Sequence, residues 1–280
     1  MEIKTISIIG TGFMGDQIAS RAILYDYKLK LYDISEESLN IIRRSLTGFL
    51  RRRRMKEKME WISFHTDLAE AVSDADLIIE TIPEKLELKR EIFSKIDELA
   101  PPNAIIATNS SSIPVSRIED SVKRKGQVLN IHFYAPISTM PMVDIMRGTQ
   151  TTDVVFEIGK KWIERIECTP LVVKKESLGF VFNRVWHAVK KECLKIWAGG
   201  HADKEAVDTA WKIFTGMGMG PFRLMDGVGL DTIYSVEMTY FNESGNPDDE
   251  PPKELKEMVD KGLLGRKSGE GFYFWEKKVL

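Results

Sequence analysis

The 280-residue sequence predicts an α/β fold: a doubly wound, mostly parallel sheet followed by a second, all-helical domain. Three observations predict it. Short β-like runs alternate with helical patterns from the N-terminus to about residue 174. After Glu176 the strands stop and four helical patterns follow. Near the start, an apolar run (Ile6, Ile8, Ile9) flows straight into Gly10, Gly12 and Gly15.

The elements follow in order. Strands are expected over residues 3–9, 28–33, 77–80, 104–107, 128–132 and 142–146, with 171–174 as one more. Between them the pattern predicts helices over 14–25, 36–58, 86–99 and 153–165. Strands alternating with helices imply parallel pairing with both faces covered. Beyond the boundary, helices are expected over 179–198, 204–214, 232–241 and 252–261, with turns at Gly199-Gly200 and at 216–221. The segment GFYFW near the end is the only later strand-like run. The domains are therefore expected to be 1–176 and 177–280.

The glycine segment ISIIGTGFMG carries the first chemistry. Gly10 permits a tight turn, Gly12 lets a pyrophosphate approach the backbone, and Gly15 lets a helix pack against the strand. The helix N-terminus then presents N–H groups and a positive dipole end. Asp33 closes the next apolar run, KLKLYD, where a carboxylate accepts from ribose hydroxyls and repels a 2′-phosphate. This is a Rossmann-type unit that expects NAD rather than NADP. A bare glycine-rich turn is the alternative that the ordered strand, turn, helix, strand and acid argue against.

Composition narrows the class. Hydrophobic residues make up 43% and charged residues 29%, which suits a globular protein with a core. A net charge of −2 gives no global attraction to nucleic acid or anionic membrane. The first strand begins almost at once, leaving no room for a signal peptide, and no apolar run is long enough to span a bilayer. Cys168 and Cys193 lack CxxC spacing and are expected to be reduced thiols in a cytoplasmic protein. The four histidines lack ligand spacing, so no metal site is expected.

Three further segments are candidates. IATNSSS ends at Ser112 just past an expected strand, offering Asn109, Ser110, Ser111 and Ser112 either to a ligand or to a helix cap before Pro114. His132 ends the run VLNIH, and Asp144 lies twelve residues on within MVDIM; neighbouring strands would join them as a general base and its orienting acid. A lone histidine at a strand end is also compatible with a structural role. Between Arg43 and Lys58, eight cations face one acid, Glu57. The run reads either as a solvated helix face or as a clamp for a phosphorylated ligand. No aromatic residue interrupts the arginine run 51–54, which disfavours nucleic acid.

Together these residues resemble the 3-hydroxyacyl-CoA dehydrogenase family, in particular 3-hydroxybutyryl-CoA dehydrogenases, over nearly the whole chain. GTGFMG is similar to the family's nucleotide loop, placing Gly10, Gly12, Phe13, Met14 and Gly15 with Asp33 at the cofactor. IIETIPEKLELK resembles the segment after the fourth strand and implies that Glu84 and Lys89 lie near the nicotinamide ribose. TNSSSI implies Ser111 as the substrate-binding serine and His132 as the catalytic base. ESLGFVFNR resembles the start of the C-terminal domain and implies Asn183 in the active site. GMGMGPFRLMDGVGLD and GLLGRKSGEGFYFW resemble two more signatures, with Lys267 reaching toward the cofactor.

The resemblance implies an NAD-dependent oxidoreductase of fatty acid metabolism that oxidises an L-3-hydroxyacyl-CoA to the 3-ketoacyl-CoA, acting as a homodimer. Arg52, Arg53 and Lys56 are expected at the coenzyme A phosphates. Three departures stand out. Ala135 replaces a usual Asn, and Asp144 replaces a usual Glu, so that the strands must shift or a water must bridge to His132. The segment between Arg54 and Thr66 is shorter than the family's helical arm. These leave a second reading, a dehydrogenase of a small 3-hydroxy acid or sugar acid without coenzyme A. A non-catalytic NAD-binding protein is the third; it would keep the glycines and Asp33 and lose the His132 and Asp144 pair.

Overall fold

The structure, a computed structural model, describes residues 2–276. It divides into two compact units that meet between Val181 and Phe182 in the chain.

The first unit runs β1 (Thr5–Ile9), α1 (Phe13–Ala22), β2 (Lys28–Tyr32), α2 (Glu36–Arg52), β3 (Ile62–His65), α3 (Leu68–Val72), β4 (Leu77–Glu80), α4 (Leu86–Leu99), β5 (Ile105–Thr108), β6 (Val128–Phe133), β7 (Met142–Arg147), α5 (Asp153–Arg165) and β8 (Thr169–Val173). The eight strands form one sheet in the order β3-β2-β1-β4-β5-β6-β7-β8. Every neighbouring pair is parallel except β6 and β7. All residues of β1, β4, β5 and β6 are buried, as expected for strands covered on both faces. The strand order reverses beside β1, whose neighbours are β2 and β4, and such switch points open a crevice at the carboxyl ends of the strands.

Local chemistry explains the helices. Ser35 caps α2 by accepting from Ser38 N (3.2 Å), and Glu36 and Glu37 in the first turn with Arg51 and Arg52 in the last complement the helix dipole. Leu39, Ile42, Leu46 and Leu50 form its buried stripe. The helix stops at Arg52, six residues short of the expected end at 58. Arg54 turns left-handed (φ 60°) and a short 3₁₀ helix, Lys56–Trp61, follows. Two short elements, β3 and α3, occupy the stretch where no element is expected. Asp67 caps α3 through Ala69 N (2.7 Å) and Glu70 N (3.3 Å).

The second unit contains α6 (Phe182–Ala198), α7 (Lys204–Thr215), α8 (Pro221–Val228), α9 (Leu230–Ser244) and α10 (Lys253–Asp260). Leu194, Phe222, Met225, Leu230, Ile233, Leu255 and Phe272 form its buried centre, with Phe222 and Phe272 meeting edge to face at 4.6 Å. Asp226, fully buried, accepts from Phe272 N, Tyr273 N and Trp275 Nε1, all at 2.9 Å. The two sequence signatures of this half are thereby tied to one carboxylate. No helix among the described residues is long and apolar enough to cross a membrane.

Candidate active site

The glycine loop joins β1 to α1. Gly10 adopts φ +97°, and a Cβ there would lie 3.0 Å from Thr81 O. At Gly15 a Cβ would lie 2.2 Å from Gly10 O, so helix and turn touch through backbone. Gly12 differs: a Cβ there would meet nothing within 4 Å. Gly12 is also the N-cap of α1 and no side chain caps it, while Phe13 is 69% exposed and Met14 half-buried. The first-turn N–H groups thus face an open space of the kind a pyrophosphate fills.

Asp33 is held at the end of β2. Its Oδ2 accepts from Thr11 N and Thr11 Oγ1, both at 2.9 Å, and its Oδ1 accepts from Ser35 N at 3.0 Å. A carboxylate has about four acceptor sites, so one remains for a ribose hydroxyl. The neighbouring Ile34 is 86% exposed and presents no cation to a 2′-phosphate. These features fit NAD.

His132 and Asp144 are directly opposed in the antiparallel β6–β7 ladder. His132 Nδ1 lies 3.1 Å from Asp144 Oδ2, with His132 6% and Asp144 1% exposed. The contact is direct: the expected strand shift or bridging water is not needed, because the register already places the shorter acid opposite the imidazole. An ionised carboxylate only accepts, so Nδ1 carries the hydrogen and Nε2 the lone pair. Tyr134 OH donates to the same Oδ2 at 2.5 Å, and Phe180 packs edge-on against the imidazole at 5.5 Å.

A second polar knot holds the serine loop. Glu84 Oε1 accepts from Ser110 Oγ, from Ser112 N (3.1 Å) and from Ser112 Oγ (2.8 Å). Lys89 Nζ reaches Glu84 Oε2 at 3.2 Å, Glu80 Oε1 at 2.7 Å and Ile82 O at 3.3 Å. Burial alone would raise the Glu84 carboxyl; Lys89, Ser110 and Ser112 outweigh it and hold it below the ordinary range. Complete burial pushes the Glu80 carboxyl up, against the pull of Lys89, Thr108 and Ile82 N. Ser111, between the two bound serines, is exposed. Asn109 is spent on structure, its Oδ1 accepting from Phe133 N (2.9 Å).

Arg52 and Arg53 line a cleft of about 360 Å³ with Asp16, Gln17, Ser45 and the β6–β7 loop residues Ile137 and Ser138. Arg53 stacks on Phe49 at 3.8 Å. Lys56 is exposed and does not line this cleft. In the helical unit, Asn183 sits half-buried in the first turn of α6, and Lys267 Nζ pairs with Asp231. Sequence reasoning missed Glu80, Thr11 and Tyr134. The first two were legible as a polar residue closing an apolar strand and a hydroxyl inside the loop; Tyr134 was legible as the residue two beyond His132, which the two-residue period of an extended chain turns to the same side.

The family model for the NAD binding domain of 3-hydroxyacyl-CoA dehydrogenase matches residues 5–177, and that for its C-terminal domain matches residues 179–275. The chain belongs to the 3-hydroxyacyl-CoA dehydrogenase family. A probable 3-hydroxybutyryl-CoA dehydrogenase of Deinococcus radiodurans is 33% identical over 274 residues, covering 95% of this chain and 98% of its own. The solved (S)-3-hydroxybutyryl-CoA dehydrogenase of Ralstonia eutropha superposes with a TM-score of 0.90 at 29% identity, over 99% of this chain and 100% of its own. A diketoreductase acting on dicarbonyl compounds gives 0.88 at 31% identity, over 98% and 100%. Family membership makes the glycine loop and Asp33 part of an NAD-binding domain.

Proposed function

We propose that this chain is an NAD-dependent dehydrogenase that oxidises an L-3-hydroxyacyl-CoA to the 3-ketoacyl-CoA. The observation that carries the proposal is the His132 imidazole held by Asp144 in a sheet whose switch-point crevice is built for a dinucleotide.

His132 Nε2 takes the proton of the C3 hydroxyl as general base. As the O–H bond breaks, the C3–O bond becomes a carbonyl and hydride leaves C3. Bound NAD supplies the acceptor for that hydride. Asp144 fixes the tautomer and stabilises the imidazolium that forms. Ser111 and Asn183 hold the substrate oxygens, and the knot of Glu84 and Lys89 orders the serine loop beside the nicotinamide ribose. Lys89, buried with three partners, serves this order through Glu84. Lys267 completes the cofactor set from the C-terminal domain. Arg52 and Arg53 receive the coenzyme A phosphates in that cleft, since guanidinium groups bind phosphate well, and the exposed Lys56, three residues on, is a further cation outside its lining. The division into residues 1–176 for cofactor and 177–280 for substrate and dimerisation is part of this reading.

The same reading makes the protein a cytoplasmic homodimer. Buried thiols at Cys168 and Cys193 support a reducing compartment, and the exposed Ile213 and Phe214 of α7 support a partner surface. A second reading, a small 3-hydroxy acid without coenzyme A, is favoured by the reduction of the arm to the 3₁₀ turn Lys56–Trp61. A spectrophotometric screen of NADH formation separates them. Hydroxyacyl-CoA esters of several lengths are the test substrates, and free hydroxy acids the controls. Turnover of esters alone supports the thioester reading; turnover of free acids alone overturns it. Binding of NAD without hydride transfer to any of them restores the non-catalytic reading.

A further inference from the structure

Asp144 is nearly sealed from solvent, and its two oxygens are used unequally. Oδ2 receives both the imidazole Nδ1–H and the Tyr134 hydroxyl, while Oδ1 is buried without a hydrogen-bond partner. A buried carboxylate with one empty oxygen is costly unless strong donors keep it ionised. His132 is one donor, and its Nδ1–H stays on Asp144 in the neutral base, but the positive charge of the imidazolium is gone in that state. The Tyr134 hydroxyl is the second donor, and it is uncharged and present in both states. Tyr134 lies two residues beyond His132, just past the end of β6, with the rings 4.6 Å apart, edge to face.

We infer that Tyr134 is a positioning residue for the base: its hydroxyl anchors Asp144 and takes up part of the carboxylate's charge, so that His132 releases its proton more readily between turnovers. This role rests on His132 acting as the base. The surroundings leave Tyr134 as the tuning group. Opposite Asp144, β8 offers Leu171, and Phe180 covers the imidazole. Asn130, one step back on β6, is neutral and donates to Thr108 O and Ser110 O, both at 3.1 Å. Among the described residues, no other hydrogen bond or ion pair reaches His132 or Asp144.

Removing the hydroxyl leaves the carboxylate's full charge on the imidazole and favours its protonated form. Tyr134→Phe is therefore expected to move the NMR titration of the His132 ring to higher pH by roughly 0.5–1 unit. The acidic limb of kcat/KM for 3-hydroxybutyryl-CoA moves with it. Incorporating 3-fluorotyrosine at position 134, a stronger donor, moves both to lower pH and gives a second readout if the Phe variant does not fold. The His132 signal, one of four, is identified by its loss in His132→Ala. Coincident His132 titration curves in wild type and variant overturn the inference. Retained turnover in His132→Ala overturns instead the base assignment on which it depends.

Discussion

Lys89 and Glu80 form an ion pair at 2.7 Å with both side chains inside the protein, 1% and 0% exposed. The pair ties the first turn and a half of α4 to the end of β4, and Glu84 is drawn in as a third member. Replacing Lys89 by Met leaves two carboxylates facing each other without their cation. The expected loss is about 3–5 kcal/mol, the usual scale for an orphaned buried charge. Urea unfolding measures it, and adding Glu80→Gln should recover part of it.

The glycines of the nucleotide loop separate binding from folding. Gly12→Ala meets open space, so thermal stability should stay near wild type while the Kd for NAD rises by at least about tenfold, equivalent to about 1.4 kcal/mol. Gly15→Ala meets backbone that cannot swing away, so stability itself should fall by about 1–3 kcal/mol. Nucleotide titration by fluorescence and thermal unfolding distinguish the two patterns. Equal behaviour of both variants would contradict the assignment of Gly12 to the pyrophosphate.

His132→Ala should lose roughly 10²–10⁴-fold or more in kcat, with NAD affinity retained. Asp144→Asn should also lose turnover, because the amide no longer selects the Nδ1–H tautomer. Steady-state NADH formation checks both, and near-normal turnover in either would refute the pair as the catalytic centre.

Glu84 gives a pH signature. Its carboxyl titrates below its ordinary value of 4.5 in the fold and at that value in the unfolded chain. Its contribution to stability is therefore complete above the unfolded value and is lost as pH falls through the lower folded one. Glu84→Gln should be less stable than wild type at pH 7, and the gap should close in acid below 4.5. A gap independent of pH would mean that packing, not charge, holds the serine loop.

The double variant Arg52→Ala/Arg53→Ala tests the cleft. For an acyl-CoA substrate KM should rise roughly tenfold, and the wild-type KM alone should be strongly salt dependent. No change with thioester substrates would remove the phosphate clamp from the proposal.

Much of the architecture was legible because its signals were strong. Residues 77–80, 86–99 and 153–165 have the expected bounds, since apolar runs and amphipathic stripes set them. The failures share a cause in weak local signal. β3 has only Ile62 and Phe64 as apolar residues and is a strand because it pairs with β2 at the sheet edge. α8 hides behind Gly220 and Pro221, which read as a turn yet serve as N-cap and first helical residue. The arginine-rich end of α2 has good helix propensity, but the left-handed Arg54 ends it. In the site, the residue types at 132 and 144 were readable, whereas their direct contact depends on the ladder register, which no local pattern encodes.

That register has a consequence for the choice of acid. Adjacent strands stand about 4.8 Å apart, and a short carboxylate bridges such a gap without a spacer. Asp144 is 1% exposed and one of its oxygens already serves both His132 and Tyr134, so a carboxylate carried one methylene further out cannot keep both contacts at their present lengths without a shift. Asp144→Glu, conservative on paper, thus adds volume to a buried site and changes the reach of the carboxylate at once, so its cost falls on the imidazole's alignment as well as on packing.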